Sequence, residues 1–528
     1  MLEWFVAVCM LIGLAFVWPA SRCLGLGSQP SKLLRGIGRD VSRRRAKDGM
    51  PDRCHPDHCT DEVPVEEDVA VALICKPSAL ASYLLKHCVS FCNFSPGSSW
   101  SWRASPLLQT LFGTCLPAES AVHFVRDHLQ MNDDGLVALD WAVARTGVPC
   151  HKRRRTSSNS TNPVLLIIPN SFGKITRSVL KTQASSRGEG ASSVSPPRLT
   201  AETRKIASVL FQKASLQQDC ELCEVALVHG YLPVVFNRRG QNGTPLGTPR
   251  LQQFGDPADL REAVRYIRYR RPGGRLYAVS ESTGSGLLLS YLGECGSSSY
   301  LTAAACLSPV LRCQAWFESA PCWPYHWILL LYQKILLSRY RTALREVVPT
   351  DVVFSCSSLR GLEEALFCGA AGGGTSWDAY WERNEPLRDV DEVAVPVLCV
   401  CSQDDPVRGE PISTLPLELF HSNPHLFLLL TTRGGHCGFA TPSDGEATAP
   451  WSHRALLEFF HAATDFCTSE ERARPPPRRR GQGGGARGPG TGANGRAFRH
   501  HSVSTGKKPL TCSHNIHAIY SWQRSYTR

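Results

Sequence analysis

The chain has 528 residues, with 58 Lys/Arg against 46 Asp/Glu and a net charge of +12. At 42% hydrophobic and 20% charged it can bury a core, which excludes wholesale disorder, and 22 Cys in this length is not the density of a small disulfide scaffold. The excess charge sits at the two ends, where residues 471–528 hold 12 Lys/Arg and one acid and residues 22–55 hold nine Lys/Arg and three acids; the body between is slightly acidic, which excludes nucleic acid as its partner.

In chain order, the first element is the apolar run Trp4–Trp18. It is shorter than the ~20 residues of a full membrane span and matches a signal-peptide core of roughly 7–15 residues. Residues 1–23 are therefore read as a membrane anchor or, alternatively, as a signal peptide cleaved after Cys23 with secretion of the rest. Glu3 is the only early charge, and the basic flank from Arg22 through Arg45 favours an anchor whose C-terminal side stays cytosolic. Residues 24–60 form a basic linker. Within it, Cys54, His55, His58 and Cys59 are soft ligands without a second, separated pair, so no metal is expected.

The span 61–465 alternates apolar runs with helical patterns. Val164–Ile168, Leu232–Phe236, Leu276–Val279, Val397–Val400 and Leu426–Leu430 are uniformly apolar and read as strands covered on both faces. Asp259–Arg268 carries Leu260, Val264 and Ile267 on one helical face, and Trp451–Ala463 reads as a closing helix. This predicts a doubly wound, mostly parallel α/β sheet. Residues 183–199 are a Ser/Gly/Pro-rich insertion. Residues of about 316–385 interrupt the alternation with an apolar helix, Trp327–Leu337, and have the size of a lid. Cys220 and Cys223 read as buried structural thiols, Asn159 is a glycosylation acceptor only if this region is lumenal, and Arg238-Arg239 reads as fixing a loop rather than binding phosphate. The tail, 471–528, is basic and disordered in composition, fit for an anionic membrane surface or a protein partner.

The chemistry centres on Tyr277–Leu289, YAVSESTGSGLLL, an apolar strand meeting a small-residue turn and an apolar helix. That is the setting of a nucleophile elbow, which needs small residues two before and two after the nucleophile. Ser282, between Ser280 and Gly284, is the one register that fits. After the strand Val397–Val400 comes Asp404-Asp405-Pro406, and Asp405 is the preferred orienting carboxylate with Asp404 as the fallback. After Leu426–Leu430 a Gly-Gly turn presents His436, a candidate general base. The order Ser, Asp, His, each after a strand, is that of an α/β-hydrolase triad. An oxyanion hole would use the N–H of Thr283 and that of Ser171 or Phe172 in the loop after Val164–Ile168.

With these motifs the chain resembles the AB hydrolase 4 family of the AB hydrolase superfamily. The matching segments are SPLLQTLFG (105–113), DGLVALDW (134–141), VVFNRRGQNGTPLGTPR (234–250), SESTGSGLLLSYLGE (280–294), VPVLCVCSQDDP (395–406) and GGHCGF (434–439). The resemblance implies an α/β-hydrolase fold with an inserted helical lid, and lipid or acyl-ester substrates without a cofactor. It assigns Ser282, Asp405 and His436 to the triad. The sequence departs from the family's pattern at Ser280, where the family has Gly, and at Asn170-Ser171, where the family has Gly-Leu. Two readings follow: a serine hydrolase acting on lipid or acyl esters at a membrane, and a catalytically weak or inactive pseudoenzyme of the same fold acting as a scaffold or regulator of lipid metabolism through protein partners.

Overall fold

A computed structural model describes residues 70–94, 106, 122–144, 161–170, 221–319, 323–369, 374–439 and 450–473. The N-terminal apolar run, the linker with its Cys/His cluster, Asn159, Cys220 and the 183–199 insertion all lie outside these residues, as does the tail beyond 473. Among the described residues no helix is long and apolar enough to cross a membrane.

Among the described residues nine strands form one sheet in the order β1-β9-β8-β7-β6-β4-β5-β3-β2. The central six are parallel: β5 (Leu232–Asn237), β4 (Val164–Ile168), β6 (Leu276–Glu281), β7 (Ala303–Leu307), β8 (Val397–Ser402) and β9 (Leu426–Thr431). β1 (Val71–Ile74) closes one edge antiparallel to β9, and the hairpin of β2 (Val122–Gln130) and β3 (Leu136–Ala144) extends the other through β3 on β5. This is the α/β-hydrolase fold anticipated from the alternation of strands and helices.

The central strands are apolar on both faces because both faces are covered. Leu166 and Ile168 of β4 pack into the core that holds α2 (Ala258–Arg270) and α3 (Ser285–Cys295). Leu165 and Ile167 pack into the opposite core, with α1 (Ala79–His87), the helix at 221–228 and α8 (Trp451–Ala473). The stripe Leu260, Val264 and Ile267 is buried as its spacing requires, each side chain contributing about 1.5–3 kcal/mol by leaving water. Cys223 is buried.

α8 runs through to Ala473, so the expected start of the tail at 471 falls inside the helix. Near its start, His453 is 1% exposed and its Nδ1 has no hydrogen-bond partner among the described residues. Burial pushes this imidazole down to about 4. The unfolded chain therefore takes up a proton near pH 6.5 that the native state refuses until about pH 4, and stability falls as pH drops through that window. We expect His453 to cost about 3 kcal/mol by pH 4. Urea midpoints at pH 7 and pH 4.5 check this: the drop should be markedly smaller in His453→Leu.

Between β7 and β8 lies a third apolar cluster built on α4 (Cys313–Ser319), α5 (Trp323–Ser338), α6 (Leu359–Phe367) and α7 (Trp377–Asn384). Pro324 lies in the first turn of α5, where its missing N–H costs no helical bond. The cluster reaches the sheet domain through Phe254 and Val407, and the buried Trp316 Nε1 donates to the Val407 carbonyl at 2.8 Å.

Candidate active site

β6 ends at Glu281, and the chain turns through a short 3-10 segment, Ser282–Gly284, into α3. Ser282 sits at the apex with φ of 50°, a left-handed conformation that an L-residue holds only when its surroundings impose it. The same turn is crowded at Gly284. A Cβ there would collide with the carbonyl oxygen of Pro169, just past β4, so only glycine lets the turn pass so close. Gly284→Ala is expected to displace the elbow, with a stability loss of about 1–3 kcal/mol. Urea denaturation of the variant tests this.

His436 is presented by the turn after β9. Its Nε2 lies 2.7 Å from Ser282 Oγ, and its Nδ1 lies 2.9 and 3.0 Å from the two carboxylate oxygens of Asp405. Residues 154 and 31 positions apart in sequence thus meet in one hydrogen-bonded line. The turn is held on several sides. Asp404 Oδ1 accepts the Gly435 N–H at 2.9 Å, Ser402 Oγ donates to the Gly435 carbonyl at 2.6 Å, and Ser308 Oγ accepts the Cys437 N–H at 2.9 Å. Asp404, the fallback carboxylate, therefore anchors the turn while Asp405 faces the imidazole.

Asp405 is buried, and its Oδ1 accepts the backbone N–H groups of Val407 and Arg408 at 2.9 and 3.0 Å. Burial works against its charge, but His436, the Arg408 guanidinium 3.8 Å away and the backbone donors outweigh it and hold the carboxyl below its usual range. A charged Asp405 requires the proton on Nδ1, which leaves the Nε2 lone pair facing the Ser282 hydroxyl. Arg408 is itself fixed by the Ser402 carbonyl and by Thr414 Oγ1 at 2.9 Å. Ser402, Ser308 and Arg408 were absent from the sequence-level candidates. Only Arg408 carried a signal, its spacing of three from Asp405.

Thr283 is buried at the start of the turn into α3. Ser171 and Phe172 lie outside the described residues. Their neighbour Asn170 is described, and its side-chain Oδ1 is buried with no partner among the described residues. Ser280, in register with Ile168 of β4, is fully buried, and its Oγ has no hydrogen-bond partner among the described residues. The hydroxyl is accommodated sterically, at the desolvation cost of about 1–3 kcal/mol that an unsatisfied buried group carries.

Arg239 fixes a loop, as its place after a strand suggested. It bonds Asp259 of α2 at 2.6 and 2.7 Å and Asp133 of the β2–β3 turn at 2.6 and 2.9 Å. It holds the Asp133 carboxyl down to about 2. Arg238 does not share this role: among the described residues it makes no such ion pair, and its buried Nη2 has no partner.

No family model matches the chain. Human Protein ABHD15 is 48% identical over 87% of this chain and 85% of its own length. Mouse Phospholipase ABHD3 is 26% identical over 70% of this chain and 78% of its own. Among solved structures, an esterase from Pyrococcus furiosus aligns with 66% of this chain and 97% of its own at 11% identity and a TM-score of 0.34.

Proposed function

The chain belongs to the AB hydrolase 4 family, and on that premise we propose that it is a serine hydrolase of lipid or acyl esters at a membrane, with Ser282 as nucleophile. The observation that carries this reading is the 2.7 Å contact between Ser282 Oγ and His436 Nε2, continued to Asp405 at 2.9 Å.

In this reading Ser282 Oγ attacks the ester carbonyl carbon as its proton passes to His436 Nε2. The imidazolium so formed is stabilised by Asp405. The tetrahedral oxyanion takes hydrogen bonds from the Thr283 N–H and from the Ser171 or Phe172 N–H. Collapse breaks the ester C–O bond, and Nε2 returns the proton to the leaving alcohol. Water then attacks the acyl-Ser282 ester by the same exchange, releasing a carboxylic acid and regenerating the hydroxyl. Lipid substrates are supported by the relative described as a phospholipase. Residues 1–23 and the basic ends would hold the enzyme at an anionic membrane surface.

Hydrolysis of a series of p-nitrophenyl acyl esters by the purified chain tests the reading. Saturable hydrolysis that is lost in His436→Ala supports it. Equal background rates for the folded wild type and His436→Ala would overturn it in favour of a non-catalytic scaffold. Protease protection of the C-terminal tail tests the topology, and a lumenal tail would contradict a cytosolic face.

A further inference from the structure

A cleft of about 80 Å³ lies where α5 and α6 meet the loop after β5. Part of its wall is apolar, with Phe254, Phe317, Leu336, Leu337, Leu366 and Phe367 contributing, and the rest is polar. Into this setting the chain places Arg238, which is only 5% exposed and whose Nη2 has no hydrogen-bond partner among the described residues. Desolvation lowers its guanidinium to about 10, which still leaves it charged at neutral pH.

A cation in this position is costly. Isolating a charge from water costs several kcal/mol unless an anion and good hydrogen bonds replace the lost solvent. The adjacent Arg239 shows what a compensated guanidinium looks like in the same loop, with four bonds to two carboxylates. Glu363 lines the same cleft, yet no ion pair forms between it and Arg238. Its carboxylate instead accepts the Tyr380 hydroxyl at 2.6 Å, and burial raises it to about 7. Near neutral pH it is therefore only partly charged and neutralises Arg238 incompletely.

We propose that this cleft is an anion subsite, in which Arg238 binds the phosphate or carboxylate of a ligand whose acyl chain lies along the apolar part of the wall. Guanidinium is suited to either group because its planar fork can give two parallel hydrogen bonds. The cleft is linked to the helix that follows the elbow: Phe254 lines it and also packs so close to Gly286 of α3 that a Cβ there would collide with the ring. An anionic group held by Arg238 would thus select among acyl compounds for the proposed hydrolase, on which this role in selectivity rests; the binding itself does not require catalysis.

The test is calorimetric binding of decyl phosphate, decanoate and decanol to the full-length protein, below their micellar concentrations. We expect one or both anions to bind about tenfold or more tightly than decanol. Which anion does so identifies the source of the charge. That preference should vanish in Arg238→Met and persist in Ser282→Ala, so loss of catalysis and loss of anion binding are read separately. Equal binding of anions and alcohol by the wild type would overturn the subsite, as would a preference that survives in folded Arg238→Met. If Arg238→Met does not fold, Glu363→Gln serves instead. Removing the competing carboxylate should tighten anion binding several-fold at pH 8 without changing decanol binding, and an unchanged anion affinity would overturn the proposal.

Discussion

Asp405→Asn should lower the turnover of an acyl ester about 10⁴-fold while leaving a folded protein. The size of the effect follows from the bonds that Asp405 makes. Its Oδ1 accepts the N–H groups of Val407 and Arg408. An asparagine would keep that oxygen there and turn its NH2 toward His436. Nδ1 would then have to accept, which puts the ring proton on Nε2, facing Ser282 Oγ. The base would be protonated at the one atom that must be free. Asp404→Asn is the control. Its Oδ1 can still accept the Gly435 N–H, so turnover should change less than about tenfold. Comparable losses in the two variants would show that Asp405 has no special relation to the imidazole.

The largest effect on stability is expected at Arg239. Arg239→Met should destabilise the fold by about 3–5 kcal/mol, because it strands Asp259 as a buried carboxylate without its counter-charge. It also cuts the tie between the β2–β3 turn and α2, two elements that no strand pairing joins. The double variant Arg239→Met/Asp259→Leu should recover much of the loss, since no deeply buried carboxylate is left unpaired and the partly exposed Asp133 keeps Arg250 at 3.3 Å. Urea unfolding of both variants decides this, and a double variant no more stable than the single one would contradict the electrostatic origin.

The central strands were legible in the sequence because burial on both faces makes them uniformly apolar. Val164–Ile168 matches the observed strand at both ends, and the other four were recognised a residue or two short. β7 was missed because its sequence, AAACL, is mostly alanine, which carries no strand signal. The edge strands were missed for the opposite reason. β2, VHFVRDHLQ, is half-exposed and mixes charge with apolar residues, so it shows no clean period. At the candidate site, Ser282, Asp405 and His436 could be proposed because each follows a strand and sits among turn-forming residues. The groups that hold the His436 turn were not readable: Ser308 lies 129 positions from its partner Cys437, a contact that only the sheet order creates. Arg238 and Arg239 were indistinguishable as neighbours in sequence, and only the fold assigns one to an ion cluster and the other to a cleft.

The most direct test of Ser282 as nucleophile is labelling with a fluorophosphonate probe, which forms a stable phosphonyl ester with an activated serine. The wild type and Ser280→Ala should label, Ser282→Ala should not, and mass spectrometry of the labelled peptide should place the adduct on Ser282. A well-folded wild type that takes up no label, or labelling that survives in Ser282→Ala, would contradict serine catalysis at this site.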